Sequence, residues 1–149
     1  MADAEIAVDA EVKGVRLLDH TADSGIEVAG DSLDECLARA AAGMFAHMWA
    51  RPTTPAPERV VGVDLEADRP DELLVAWLQE LLYRSEVDGV CFYRFEVESD
   101  GRRLSGRAIG VPLGPDVEPV GPSVKAVTRH GLEVRRAGER WRGRILFDV

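Results

Sequence analysis

Two carboxylates and an imidazole fall within five consecutive residues of this chain, Asp19-His20-Thr21-Ala22-Asp23. At the far end, Leu146-Phe147-Asp148-Val149 sets a side-chain carboxylate one residue before a terminal one. Oxygen-rich groupings of this kind suit hard divalent cations or acid/base work. Neither piece carries enough donors alone, so the chemistry depends on whether the fold joins the two ends. Each piece also has a plainer reading. Asp and Thr cap backbone groups in ordinary turns, a single His is often only a hydrogen-bonded structural residue, and chain ends fray. Against fraying, the apolar run Ile145-Leu146-Phe147 argues that this end is tied into a sheet, which would fix the terminal carboxylate.

Lys125 and His130 form a second candidate pair. Five positions apart, they face opposite sides of a regular strand and converge only through a bulge or turn, which Gly131 makes possible. Other chemistries lack their motifs. There is no Walker loop, no dinucleotide glycine fingerprint and no HExxH, and no GxSxG elbow. Three His without paired spacing argue against a zinc enzyme. Cys36 and Cys91 lie far apart in apolar patterns and read as buried free thiols of a reducing, cytoplasmic setting.

The elements that must position these residues follow from local pattern. Gly14–Asp19 and Gly25–Val28 read as strands on either side of the acidic turn. Ser32-Leu33-Asp34-Glu35 fits a capping box, and Leu33, Leu37, Ala40, Ala41, Met44, Phe45 and Met48 recur at helical spacing. Pro52, Pro55 and Pro57 stop that helix. Val60–Ala67 alternates as a strand. Pro70 opens a second helix, with Leu73, Leu74, Trp77, Leu78, Leu81 and Leu82 on its apolar face and Gly89 at its end. The remainder is β-like. Cys91, Tyr93, Phe95 and Val97 alternate with polar neighbours or Phe92, and Asp100-Gly101 signals a hairpin. Residues 112–122 form a loop and residues 124–136 one broken strand or two; after the Ala137-Gly138-Glu139 turn a last strand carries Trp141, Ile145 and Phe147 on one face and Arg142, Arg144 and Asp148 on the other. About seven strands clustered around two helices predict an α+β domain, a mainly antiparallel sheet packed with two helices.

At 149 residues the chain is long enough for a single domain with a real core. Residues 14–149 are assigned to it, and the acidic segment 1–13 reads as a disordered lead without the basic start of a signal peptide. No apolar run approaches the roughly 20 residues of a membrane span. The net charge of −9 is uneven: seven bases and three acids from Gly121 onward give +4, leaving −13 for residues 1–120. An acidic body excludes broad coating of nucleic acid, DNA included, because phosphate binding is mostly charge neutralisation. The basic C-terminal hairpin reads as a solvated strand face or as a contact for phosphate or an acidic partner.

The Asp19–Asp23 motif, the Gly25-Ile26-Glu27-Val28 strand and the Ser32-Leu33-Asp34-Glu35 helix start resemble the opening of archease proteins. The resemblance continues through Glu80-Leu81-Leu82-Tyr83 and Val124-Lys125-Ala126-Val127-Thr128 to His130-Gly131-Leu132, and ends at Leu146-Phe147-Asp148-Val149. It covers roughly residues 14–149. It implies a non-catalytic protein co-factor of an RtcB-type RNA ligase, which uses GTP and a divalent metal to join RNA ends in tRNA splicing and RNA repair. The co-factor would promote guanylylation of the ligase and its multiple turnover, touching RNA only indirectly or weakly. The resemblance further implies a divalent metal, calcium first and manganese or magnesium as alternatives. Its carboxylate ligands would be Asp23, Asp148 and the terminal carboxylate of Val149. Asp19, His20, Lys125 and His130 would support the loop or contact the ligase. Arg129 departs from the family pattern, standing where relatives commonly carry an aromatic residue.

Two rival functions come from the residues themselves. One is a metal-dependent hydrolase using Asp23, Asp148 and His20, against which stands the lack of an evident nucleophile. The other is a general chaperone or RNA-binding adaptor working through the arginines of Arg135–Arg144.

Overall fold

In a computed structural model of the chain, residues 14–18, 24–53 and 56–149 are described in full, and 6–9 and 19 by their backbone alone. The elements run β1 (Ile6–Asp9), β2 (Val15–Asp19), β3 (Ser24–Gly30), α1 (Leu33–Met48), β4 (Arg59–Glu66), α2 (Pro70–Asp88), β5 (Val90–Ser99), β6 (Arg103–Pro112), β7 (Ala126–Ala137) and β8 (Arg140–Asp148). The expected α+β class holds. The strands divide into two four-stranded sheets, in the orders β1-β5-β6-β4 and β2-β3-β8-β7, with every pairing antiparallel.

The two helices lie between the sheets, giving three layers. α1 packs on β3 from one side and β5 from the other, and α2 reaches β7 as well as β4. This explains the composition of α1. A helix covered all round must be apolar all round, and Cys36, Leu37, Ala38, Ala40, Ala41, Ala42, Met44 and Phe45 are all buried. Its alanines and Gly43 let the sheets come close. A Cβ on Gly43 would meet Val15 Cγ1 at 2.8 Å. Trp77, fully buried, ties the helices together by donating its indole N–H to the Leu37 carbonyl at 3.0 Å.

The helix ends behave as the sequence predicts, with one shift. Ser32 Oγ accepts from the Glu35 N–H at 3.1 Å, and the Glu35 carboxylate reaches back to the N–H of Asp31, one residue beyond the cap itself. Pro70 sits in the first turn of α2, and Gly89 closes it in the left-handed region. α1 ends at Met48, before the proline-rich stretch, because Trp49 and Ala50 turn into extended pairing with Pro119 and Glu118.

Two strand features depart from the sequence reading, and a third, the break in β7, matches it. Within the segment expected as a disordered lead, Ile6–Asp9 pair with Val97–Arg94 of β5, giving an eighth strand; residues 1–5 and 10–13 lie outside the described residues. In β5 the register shifts between Phe92 and Arg94, so the simple alternation fails. Phe92 and Phe95 both enter the main core, while Cys91 joins Val111 and Val117 in a small cluster under the 112–122 loop. In β7 the register jumps between Thr128 and Glu133. Thr128 pairs with Leu146 and Glu133 with Arg144, so four residues of β7 bulge out over one of β8.

Candidate functional site

The strand register brings Asp19, where the first acidic motif begins, and Asp148 to the same end of the β2-β3-β8-β7 sheet. Asp19, the last residue of β2, pairs with Ser24, the first of β3, and Ser24 pairs in turn with Phe147 of β8. Residues 20–23 connect this pair, so their two attachment points lie beside the residue that precedes Asp148. His20 and Asp23, and the side chain of Asp19, lie outside the described residues.

β3 and β8 approach closely here because residue 25 is Gly. A Cβ at Gly25 would fall 2.5 Å from the Ile145 carbonyl oxygen and 2.7 Å from Leu146 Cδ2. Ile145 and Phe147 point into the main core, fixing the last strand, while Leu146 is buried on the opposite side. The chain end is therefore anchored, as its apolar run predicts. Asp148 and Val149 themselves are exposed. Among the described residues the Asp148 carboxylate has no ion pair and no hydrogen bond, so its oxygens are free to bind.

Lys125 and Asp148 are joined, through the main chain. The Lys125 N–H donates to the Asp148 carbonyl at 2.7 Å, extending the β7–β8 pairing by one bond beyond Ala126–Asp148. Just before it, the Val124 N–H points at Met48 Sδ at 3.3 Å. Lys125 also lines a cavity of about 340 Å³ with Met48, Trp49, Leu82 and Val124, between the end of α1, α2 and the loop before β7.

His130 is carried by the bulge. Gly131 has φ +70°, a conformation other residues adopt only at a cost, and the His130 N–H donates to Thr128 Oγ1 at 3.2 Å. The bulge that would let His130 and Lys125 leave strict alternation therefore exists, with both side chains exposed. Its neighbour Arg129 holds it to α2. The Arg129 guanidinium bonds both carboxylate oxygens of Glu72 at 3.0 Å, and it keeps the Glu72 carboxyl below its ordinary pKa. Sequence reading noted Arg129 only as a departure. With Glu72 fifty-seven residues away, no local signal points to the pair.

The donors fit a hard cation in kind, because Ca²⁺ and Mg²⁺ take carboxylate and carbonyl oxygens. In number they are incomplete: among the described residues no three His, Cys, Asp or Glu are grouped to hold a metal. Elsewhere, Cys36 and Cys91 are free, buried thiols, as expected, with burial pushing them up to about 12 and about 11. Asp34, in the first turn of α1, is a buried carboxyl that sequence reading missed. Burial pushes it up to about 6, a Ser99 backbone hydrogen bond opposing and Glu98 adding, and its Oδ1 has no partner. No helix among the described residues is long and apolar enough to cross a membrane.

Comparison with known proteins completes the picture. The family described as "Archease protein family (MTH1598/TM1083)" matches residues 16–149. Protein archease of Methanopyrus kandleri is 35% identical over 136 residues, covering 89% of this chain and 96% of its own. The solution structure of Methanobacterium thermoautotrophicum protein 1598 superposes with a TM-score of 0.77 at 32% identity, covering 93% of this chain and 100% of that one. The crystal structure of a Thermotoga maritima protein described as "an archease, possible chaperone" shares the fold, with a TM-score of 0.61 at 20% identity over 90% of this chain and 96% of that one. The chain belongs to the archease family.

Proposed function

We propose that this protein is a non-catalytic activator of an RtcB-type RNA ligase, promoting its guanylylation and multiple turnover in tRNA splicing or RNA repair in the cytoplasm. The observation that carries this reading is family membership across residues 16–149, together with a register that sets Ser24, joined to Asp23, against Phe147, joined to Asp148. Asp23, Asp148 and the terminal carboxylate of Val149 would hold a divalent cation, calcium or else manganese or magnesium. Bound there, the cation would offset two of the three carboxylate charges and hold the carboxylates together, with coordination positions left for an oxygen ligand of the partner.

The chain's own residues do the rest. The β3–β8 pairing and the buried Ile145 and Phe147 anchor β8 up to Asp148. The Lys125 N–H fixes the main chain at Asp148. The bulge presents His130 from β7, the strand that Lys125 immediately precedes. Asp19, His20, Lys125 and His130 are the proposed contacts to the ligase. Activation requires that this end of the sheet bind one state of the ligase more tightly than the other.

The test is multiple-turnover ligation by a cognate ligase with GTP, manganese and RNA ends. The wild-type protein should raise turnover, and Asp23→Ala should abolish the effect with the melting curve unchanged. Stimulation by Asp23→Ala equal to wild type would overturn the assignment. Hydrolysis of a phosphoester by the purified protein without ligase would favour the hydrolase reading instead.

A further inference from the structure

The outer face of the β2-β3-β8-β7 sheet carries an arginine array that the acidic end does not use. The register aligns Arg16, Glu27, Arg144 and Glu133 in one row across all four strands. The adjacent row is Ala29, Arg142 and Arg135. Both rows line a shallow concavity of about 520 Å³. Arg16 is paired with Glu27, and Arg135 with Glu133 at 3.2 Å. Among the described residues Arg142 and Arg144 make no ion pair.

The excess charge is placed where it costs the fold something. Arg142 and Arg135 are direct cross-strand partners, and like charges so placed destabilise a sheet. Net charge elsewhere is strongly negative, −13 over residues 1–120, so this face stands out as the site for an anion. Every base in the array is Arg rather than Lys, the side chain whose flat fork grips phosphate oxygens two at a time. Cross-strand neighbours stand about 5 Å apart and outward residues along a strand about 7 Å apart, so a flexible chain of phosphates can span more than one guanidinium.

We propose that this face binds the phosphodiester backbone of single-stranded RNA, independently of the carboxylate end. The arginine geometry carries the phosphate assignment; the choice of RNA rests on the proposed partnership with an RNA ligase. No aromatic side chain lines the concavity, so contact is to backbone and not to sequence. Binding is therefore weak and salt-sensitive, with Glu27 and Glu133 holding it down.

The experiment is fluorescence anisotropy of a labelled single-stranded RNA with the full-length protein alone, in EDTA and without ligase. Contact with two phosphates gives a log–log salt slope of about −1.4, roughly a sevenfold loss between 50 and 200 mM salt. Arg135→Gln/Arg142→Gln should weaken binding about tenfold and flatten that slope, while melting no lower than wild type because a like-charged pair is gone. Arg103→Gln/Arg107→Gln, the same charge change on the other sheet, should bind within about twofold of wild type. The proposal fails if wild type does not bind at 50 mM salt, if the two double variants weaken binding equally, or if polyglutamate competes as well as unlabelled RNA. EDTA and the absence of ligase separate this result from the activation assay, so either assignment can fail without the other.

Discussion

The main-chain N–H of Lys125 donates to the carbonyl of Asp148 at 2.7 Å. Residues 125 and 148, candidates for different reasons, are thus held together by backbone and not by charge. The Lys125 side chain takes no part in this contact and is exposed.

Gly131→Ala should lower stability by about 1–2 kcal/mol. Its φ of +70° is costly for any residue with a Cβ, although the space around it is open enough, with Arg144 atoms no nearer than 3.6 Å. If the bulge presents His130 to the ligase, stimulation should fall further than the loss of folded protein explains. Chemical denaturation and the ligation assay, run on the same preparation, check both parts.

Asp34 makes the pH dependence of stability testable. Its folded pKa, about 6, lies above its ordinary value of 3.8, so the folded state binds this proton more tightly than the unfolded chain. The contribution is most favourable below about pH 4. It is lost as pH rises toward 6, and the ionised, part-screened carboxylate then costs roughly 1–2 kcal/mol at neutral pH. Asp34→Asn should remove that slope between pH 4 and 7 and leave the variant at least as stable as wild type at pH 7. Denaturation midpoints across this range give the answer; a slope unchanged by the substitution would contradict it.

The thiols should be silent in the native state. Burial holds Cys36 and Cys91 at about 12 and about 11, so almost no thiolate exists at pH 7.5, and thiolate is the reactive form. A disulfide-exchange reagent should modify neither Cys until the protein unfolds. Rapid native labelling of either would contradict their placement.

The helices were legible because their ends are written locally: Ser32 and Glu35 at one start, Pro70 and Gly89 bounding the other. The broken strand near residue 130 was legible through Gly131. The bulge at Tyr93 was not, because Cys91, Tyr93, Phe95 and Val97 mimic a regular alternation while the register shift belongs to the pairing with β6. β1 escaped because four residues between acidic flanks carry too short a pattern, and its partner β5 lies some ninety residues on. The division into two sheets is likewise a matter of long-range register. At the candidate site, the anchored chain end followed from Ile145-Leu146-Phe147. The Arg129–Glu72 clamp did not, since it joins side chains fifty-seven residues apart and leaves no mark on spacing; the Arg142–Arg135 pair was foreshadowed by the basic C-terminal hairpin, while its alignment with Arg16 and Glu27 depends on long-range register.

The central claim is that the acidic end of the sheet is the working part of an activator. Asp148 tests it most directly, because its side chain is exposed and unpaired among the described residues. Asp148→Ala should therefore change stability by no more than about 0.5 kcal/mol. In multiple-turnover ligation with a cognate ligase, wild type should raise turnover and well-folded Asp148→Ala should not. Full stimulation by Asp148→Ala would contradict the account.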